Sequence, residues 1–465
     1  MQLKLTNTLS NKLDFFTPIN NKNIKLYVCG PTVYDKPHIG NARSLVIYDV
    51  LYRILRELYG DNSVTFVRNI TDIDDKIIQR AEELGILIKE LTTEVIKNFH
   101  EDAEYLNCLL PTHEPKATET LDVMIEIIQK LINNGHAYTS NGHVYYNIES
   151  FPDYGKFSGK ETDSLIQGSR IEIDNNKKHP ADFVLWKPSQ DKDLGVSYDS
   201  PWGLGRPGWH IECSAMSYKF LGTDFDIHGG GADLMFPHHT NEIAQSCCAF
   251  PGSKFANFWV HNGFLTVRGE KMSKSLGNFI TIYDMRQKKV KGEIIRLLLL
   301  NSHYRSPMDY NEKALYDATE TMNYFYRTLE NFDLINFEQI KFENLPQDFI
   351  HSLCDDLNIH RAISIMFSLA KEINKSSNAE SVTKAKILVS CGRVLGFFME
   401  NTGSWFHMDE TDLEIENMIK ERNMAKSVKN WEEADRIRNL LTAKGIMLED
   451  NPYGQTIWRR VPSNL

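Results

Sequence analysis

Apolar positions along the first third of the chain change their period in a regular way. Leu26, Tyr27 and Val28 form a short apolar run that Gly30-Pro31 must break, and Val64 to Asn69 alternates with the period of a strand. Between these runs, Leu45 to Leu58 carries an amphipathic helical stripe. Residues 76 to 106 read as one further helix, with Ile77, Ile78, Ala81 and Leu84 on one side. Short buried strands alternating with helices predict an α/β fold with a parallel sheet, in which Cys29 stands at a strand's carboxyl end. That end faces the ligand crevice of an open sheet.

From Pro111 to about Gly205 the pattern becomes a helix, short strands (HAYTSNGHVYYNI) and polar loops such as DNNKKHP, which predicts an insertion that splits the first fold. The first fold resumes with RPGWHIECSAM and with the strand Asp224 to Ile227. Gly229, Gly230 and Gly231 follow between that strand and a helix, where bare backbone can approach a ligand closely. Pro237 suits the first turn of that helix, and His238 and Glu242, four apart, share one face. VHNGFLTVRGEKMSKSLGNF reads as a strand, a Gly/Lys/Ser loop and a following helix. Helical patterns then fill residues 311 to 400, with Leu353, Leu357, Ile363, Met366, Phe367 and Ala370 as one example. The last stretch has a charged helix pair and a strand-like ending. The expected segments are 1–112 with 205–260, the insertion 113–204, then 261–312, a helical bundle 313–408 and a small α+β module 409–465.

Length and composition change this picture in four places. A length of 465 residues exceeds what one core holds, so about 3 domains are expected. The net charge of −10, from 52 basic and 62 acidic residues, gives no general attraction for nucleic acid, so an RNA partner needs a local basic face. There is no apolar run of about 18 residues or more, and the start MQLKLTNTLSNKLDFF has no signal-like apolar core, so a cytoplasmic protein without a membrane span is expected. Seven cysteines at irregular spacing point to thiols or metal ligands rather than a disulfide framework.

Several side chains carry two readings on sequence alone. Cys29 and Cys213 are either small core residues or, with His238 and Glu242, a soft ligand set at the crevice edge. Asp72 and Asp74, beside Thr71 and Asp75, cluster at a strand end, where they are either helix-capping acids or something more than caps. Lys271 and Lys274 belong either to a solvated linker or to a site that handles phosphate, and His38, flanked by Pro37 and Gly40, stands at a helix start, where phosphates bind. Trp431 is either the buried residue of an amphipathic helix or a stacking platform beside Lys426, Asp435 and Arg438. Cys108, Cys247, Cys248, Cys354 and Cys391 fall in apolar stretches and are expected in cores.

The residues HIGN at 38–41 and GEKMSKSLGN at 269–278 resemble, in order, the HIGH and KMSKS signatures of the cysteinyl-tRNA synthetases, and DFVLWKPS also matches; the resemblance spans nearly the whole chain. It implies a HIGH-type Rossmann-like parallel-sheet domain with an insertion, a stem-contacting segment that carries the KMSKS loop, a helical bundle and an anticodon module. It also implies a class I enzyme that activates L-cysteine with Mg-ATP and charges tRNA(Cys), as a monomer away from any membrane. One zinc per chain would be held by Cys29, Cys213, His238 and Glu242, and it would prefer the substrate thiolate to a serine hydroxyl. His38, Lys271 and Lys274 are then the implied catalytic residues. His38, Gly40, Asn41, Gly229, Gly230, Gly231, Asp233 and Lys274 bind the nucleotide, Thr71 and Trp209 bind the amino acid, and Lys426, Trp431, Asp435 and Arg438 read the anticodon. His210 and His239 either orient the metal ligands or only satisfy local hydrogen bonds. Asn41 replaces the last His of HIGH, Thr240 stands where Glu is usual, and Lys426 where Arg is commoner. The rival readings are an ATP-dependent cysteine ligase acting on a small amine, which residues 410–465 oppose, and a zinc protein that binds RNA without catalysis, which the paired signatures oppose.

Overall fold

Strand β1 (Ile24–Val28) lies inside a four-stranded parallel sheet with β2 (Val64–Arg68) on one side and β3 (Asp224–Gly231) and then β4 (Phe255–Asn262) on the other. The computed structural model describes residues 2–159, 175–190, 195–273, 276–376, 378–406, 410–428, 430–450 and 456–460. Leu26 and Tyr27 of β1 are fully buried, as expected of a parallel strand covered on both faces. Helix α1 (Ile39–Tyr59) follows β1 and begins well before Leu45, because His38 and Asn41 close a reciprocal cap at its start. The Cys29 N–H donates to the Gly229 carbonyl (3.2 Å), which extends the β1–β3 ladder by one bond.

Two local expectations are corrected. The predicted helix over 76–106 is two helices, Asp75–Leu84 and Ile88–Tyr105, because Gly85 adopts φ 64°, a left-handed cap that ends the first. Strand β3 does not stop at Ile227. It runs through Gly229, Gly230 and Gly231, paired with Val260, His261 and Asn262. A Cβ at Gly229 would lie 2.4 Å from the Tyr48 ring and one at Gly230 would lie 2.8 Å from the His239 ring, so these two glycines admit neighbouring side chains. The Tyr48 hydroxyl uses that space to accept from the Gly230 N–H (2.6 Å) and donate to the Val260 carbonyl (2.6 Å).

The inserted segment holds the helix Leu121–Asn133 and an antiparallel sheet of Ala137–Ser140, His143–Tyr146, Phe183–Pro188 and Gly205–Pro207. This sheet leads directly into helix α2 (Trp209–Leu221). The strand Leu265–Val267 pairs with Glu270–Lys271 and with Met308–Tyr310. The helices Glu312–Thr328, Gln347–Cys354, Ile359–Ile373 and Asn378–Val394 belong to the same compact unit as the parallel sheet, Met1–Thr328 with Phe337–Met399. A second unit, Leu329–Asn336 with Glu400–Leu465, contains the helices Glu410–Ser427 and Trp431–Ala443 and an antiparallel strand pair, Ile446–Asp450 with Thr456–Arg460. Its core is Ile415, Ile419, Ile437, Leu441, Ile446 and Leu448.

A buried ion network fixes α1 to the helix Gly292–Leu300. Asp49 pairs with Arg296, accepts from the Arg53 Nε (2.8 Å) and accepts the Leu109 N–H (2.7 Å). Burial alone would raise the Asp49 pKa, but Arg296, Arg53 and the Leu109 N–H outweigh it and hold the carboxyl below its ordinary value. Its contribution to stability is therefore present above the ordinary aspartate range and is lost as the pH falls through the depressed value. Asp49→Asn is expected to destabilise the chain by about 3–5 kcal/mol, because Arg296 is left buried without its counter-charge. Denaturant unfolding at neutral pH and in mild acid measures this: the deficit should shrink on acidification, and equal stability at neutral pH would contradict it.

Candidate active site and metal centre

Three segments distant in sequence deliver four ligand atoms to a single point at the carboxyl end of the sheet. Cys29 follows β1, Cys213 lies on α2, His238 lies in the turn Met235–His239, and Glu242 lies in α3 (Thr240–Ala249). Their ligand atoms all fall within 4.8 Å of one another. Cys29 Sγ is 3.8 Å from both Cys213 Sγ and Glu242 Oε1, and His238 Nε2 is 3.1 Å from Glu242 Oε1. Pro237 does not open a regular helix, because Phe236 (φ −138°, ψ 131°) leaves the helical region, yet His238 and Glu242 still meet. Burial raises both thiols, most strongly Cys29, and lowers His238 to about 3, so the site by itself favours neutral thiols and a neutral imidazole. A bound cation supplies the charge that would stabilise two thiolates here, and a sulfur-rich set with one imidazole and one carboxylate fits zinc.

The neighbours orient these ligands. His210 Nδ1 is 3.0 Å from His238 Nδ1, and Trp209, at the start of α2, stacks on the His238 ring at 4.3 Å between centroids. His239 lies 3.5 Å from Cys29 Sγ through Nε2 and 2.8 Å from His261 through Nδ1; His261 in turn meets the Thr8 hydroxyl at 2.7 Å. His228 Nε2 contacts Glu242 Oε2 at 2.9 Å. Cys29, His228, His239 and Glu242 make a second possible ligand group that shares two members with the first. His228, His261 and Asn69 were not anticipated. The signal for His228 is an imidazole at the end of the apolar run before the glycines, inside the stretch FDIHGG that is buried throughout. Asn69 accepts the Gly30 N–H (2.9 Å), receives Cys213 Sγ at 3.7 Å and donates to Thr71 Oγ1 (3.3 Å). Thr71 is buried and donates to Glu212 Oε2 (2.9 Å), while Asp74 caps the helix Asp75–Leu84 and Asp72 accepts from Thr118, so both acids have structural work.

At the other end of the crevice, His38 Nδ1 accepts the Gly40 and Asn41 N–H groups (3.1 and 3.2 Å), and Asn41 Oδ1 accepts the His38 N–H (3.2 Å). Burial pushes the His38 ring below the ordinary imidazole range, with Asp233 partly opposing it. A neutral ring whose Nδ1 accepts carries its proton on Nε2. The exposed Asp233 follows the glycine strand end, and a Cβ on Gly231 would lie 2.3 Å from its carboxylate. A Cβ on Gly40 would lie 3.1 Å from the Met272 methyl, and Phe279 meets the His38 ring edge-on at 5.4 Å. Asn278 ties the loop together: its Oδ1 accepts the Ser273 N–H (2.8 Å) and its Nδ2 donates to the Lys271 carbonyl (3.3 Å). Lys271 is exposed; Lys274 lies outside the described residues. Arg43, fully buried in α1, donates to the carbonyls of Gly263, Phe264 and Ser306 at 2.7–2.9 Å, which fixes α1 against the base of this loop. Burial lowers its pKa to about 10.

In the second unit Trp431 is 58% exposed, so it is not the buried residue of its helix. Ala434, Ile437 and Leu441 take that role, while Asp435 and Arg438 are exposed and Lys426 is half-buried. All seven cysteines are free thiols, and of those expected in cores Cys248, Cys354 and Cys391 are buried.

Residues 15–320 match the family described as tRNA synthetases class I (C) catalytic domain, and residues 348–399 match the DALR domain. The chain is 55% identical to the cysteine-tRNA ligase of Rickettsia bellii (strain OSU 85-389) over 99% of its own length and 100% of that protein. It is 53% identical to the cysteine-tRNA ligase of Rickettsia prowazekii (strain Madrid E), again over 99% and 100%. Its fold is similar to that of Mycobacterium tuberculosis methionyl-tRNA synthetase in complex with methionyl-adenylate, with TM-score 0.56 and 16% identity over 80% of this chain and 89% of the other. Among the described residues no helix is long and apolar enough to cross a membrane. The rival readings of a small-amine ligase and of a non-catalytic zinc protein are not favoured beside such full-length matches. Matched from end to end by these relatives and over most of its length by the catalytic-domain family, the chain belongs to the cysteine-tRNA ligases of the class I aminoacyl-tRNA synthetases.

Proposed function

We propose that the chain activates L-cysteine with Mg-ATP to cysteinyl-adenylate and pyrophosphate, then passes the cysteinyl group to the terminal ribose of tRNA(Cys). The observation that carries this reading is the convergence of Cys29, Cys213, His238 and Glu242 within 4.8 Å at the same sheet end as the capped HIGN helix start. A zinc ion held by those four residues would supply a soft electrophilic site that prefers sulfur to oxygen. Trp209 walls the side-chain pocket through its stack on His238, and the Thr71 hydroxyl, held by Glu212, orients the substrate's polar end. His38 donates to the triphosphate from Nε2, because Nδ1 is engaged in the helix cap. Asn41, whose Oδ1 is likewise engaged, offers its amide N–H groups in place of the usual imidazole. Gly40, Gly229, Gly230, Gly231 and Asp233 border the nucleotide, and Lys271 and Lys274 offset the charge developing on the departing pyrophosphate.

The segments 261–312 and 409–465 serve tRNA in this reading, the first at the stem and the second at the anticodon. Trp431 offers a stacking face there, with Lys426 and Arg438 for phosphate and Asp435 for a base edge. The test compares pyrophosphate exchange with tRNA charging in the full chain. Exchange should depend on cysteine and not on serine. Trp431→Ala should leave exchange intact and weaken tRNA binding by about 5- to 150-fold, the worth of one stacked base. Because Trp431 is exposed, its loss should not unfold the unit. Exchange that ignores cysteine would overturn the activity, and charging unchanged by Trp431→Ala would overturn the anticodon assignment.

A further inference from the structure

The two halves of the phosphate-handling end are joined through backbone. The Ile39 N–H donates to the Ile280 carbonyl (2.9 Å), His38 and Thr281 form an antiparallel bridge, and Phe279 lies edge-on to the His38 ring at 5.4 Å. Residues 279–281 are the return of the loop that carries GEKMSKSLGN, so whatever sets their place also sets how that loop meets the HIGN helix start. The element that follows them is the helix Ile282–Gln287, capped reciprocally by Thr281 and Asp284. Its 6 residues are too few to hold a helix by themselves, so tertiary contacts must place it.

The buried Ile282 and Met285 give this helix an inner side, and two cations give it a direction. Lys36, two residues before His38, sets its Nζ 3.4 Å from the centre of the Tyr283 ring, a close cation–π contact. Arg286 donates to Asp102 Oδ1 (3.1 Å) and Glu101 Oε2 (3.3 Å) on the helix Ile88–Tyr105, and its guanidinium lies 5.3 Å from the Tyr105 ring. The Arg286 pair is a poor device for stability. Asp102 is 2% exposed and its Oδ2 has no hydrogen-bond partner among the described residues, a cost that apolar side chains would avoid. It is a good device for orientation, because a guanidinium between two carboxylates admits few geometries where an apolar contact admits many. We propose that Lys36 and Arg286 are positioning residues for adenylate formation, which hold the helix Ile282–Gln287, and through residues 279–281 the KMSKS loop, in register with His38. This rests on the activity proposed above. Neither residue belongs to the HIGN or KMSKS signatures, and neither needs to touch ATP.

Lys36→Met keeps the stem and removes the charge at a half-buried position, so the full-length variant should unfold at the parent's temperature. In cysteine-dependent pyrophosphate exchange its kcat should fall toward the roughly 10²-fold that about 1 Å of misplacement costs, with KM for ATP and for cysteine nearly constant. Lys36→Arg keeps a cation over the ring and should restore most of the rate. Tyr283→Leu added to Lys36→Met should cost little more than Lys36→Met alone, since both remove the same contact. Arg286→Met should show the same split of kcat from KM. Transfer of cysteine from preformed adenylate to tRNA should keep the parent's rate, which general damage to the fold would not allow. Lys36→Met decides the question alone if Arg286→Met, which strips Asp102 of its partner, does not fold. If the parent chain shows no cysteine-dependent exchange, the proposed activity fails and this inference with it. If the parent exchanges and Lys36→Met either matches its kcat or changes only KM for ATP, the positioning role is overturned and the activity stands.

Discussion

Cys213→Ser is expected to produce a folded chain that no longer retains zinc and no longer separates cysteine from serine. Cys213 is 2% exposed, and serine is close to it in volume, so the packing around α2 should survive. What changes is the donor. A hard hydroxyl that ionises only with difficulty replaces a polarisable sulfur, and it sits 3.8 Å from the remaining thiol Cys29. Loss of a direct ligand should weaken metal retention by more than the roughly 10- to 100-fold that follows loss of an outer hydrogen bond. Discrimination should fall with it, because a methylene-scale pocket alone separates such similar side chains by only about 10- to 200-fold. Metal content by atomic absorption falls from about one zinc per chain, the number that one four-ligand site holds, toward none. Thermal unfolding without metal serves as the folding control. A variant with the parent's zinc content and the parent's exchange ratio for cysteine over serine would remove zinc from the account of specificity.

The first two strands of the sheet were legible because each is short and apolar. Gly30-Pro31 stops β1 where the sequence says it must, and the alternation of strands with helical stripes is enough to make the sheet parallel. The misreadings have local causes. Gly85 was masked by the apolar period that runs on either side of it, and Gly229 to Gly231 read as a loop because glycine is disfavoured in strands, whereas Tyr48 and His239 need the missing Cβ atoms. What the chain does not announce is long-range convergence. Cys29 and Cys213 are 184 residues apart, and no spacing rule of the kind that marks compact metal motifs joins them. Only the family resemblance links them in the sequence, while the structure brings them together by placing a strand end, a helix and a turn around one crevice. The histidines around them were harder still. His228 and His261 lie on strand residues that face the buried side, where a lone histidine ordinarily means only local hydrogen bonding, and it is the chain of contacts from Glu242 to His228, and from Thr8 through His261 to His239, that gives them a place.

Lys274→Ala should lower the rate of cysteinyl-adenylate formation by about 10²-fold or more, the scale of removing one preorganised charge from a developing anion. The apparent affinity for ATP should change less. Departure of pyrophosphate moves charge onto oxygens that carry less of it in the bound substrate, so a cation poised there is worth more in the transition state than before it. The described part of the loop gives a reason to expect the effect to stay at the side chain. Asn278 bonds to the Ser273 N–H and the Lys271 carbonyl, Met272 sits against Gly40, and Phe279 against His38, so the backbone on either side of residue 274 is fixed by contacts that the substitution does not touch. His38 and Asn41 likewise keep their cap at the helix start. Steady-state pyrophosphate exchange at saturating cysteine, with ATP varied, separates the possibilities: a fall in kcat with a nearly constant KM for ATP marks an interaction made in the transition state. Turnover at the parent's rate with a raised KM would place Lys274 in ground-state binding of ATP instead, and the task of stabilising the departing pyrophosphate would then fall to Lys271 and the Nε2–H of His38.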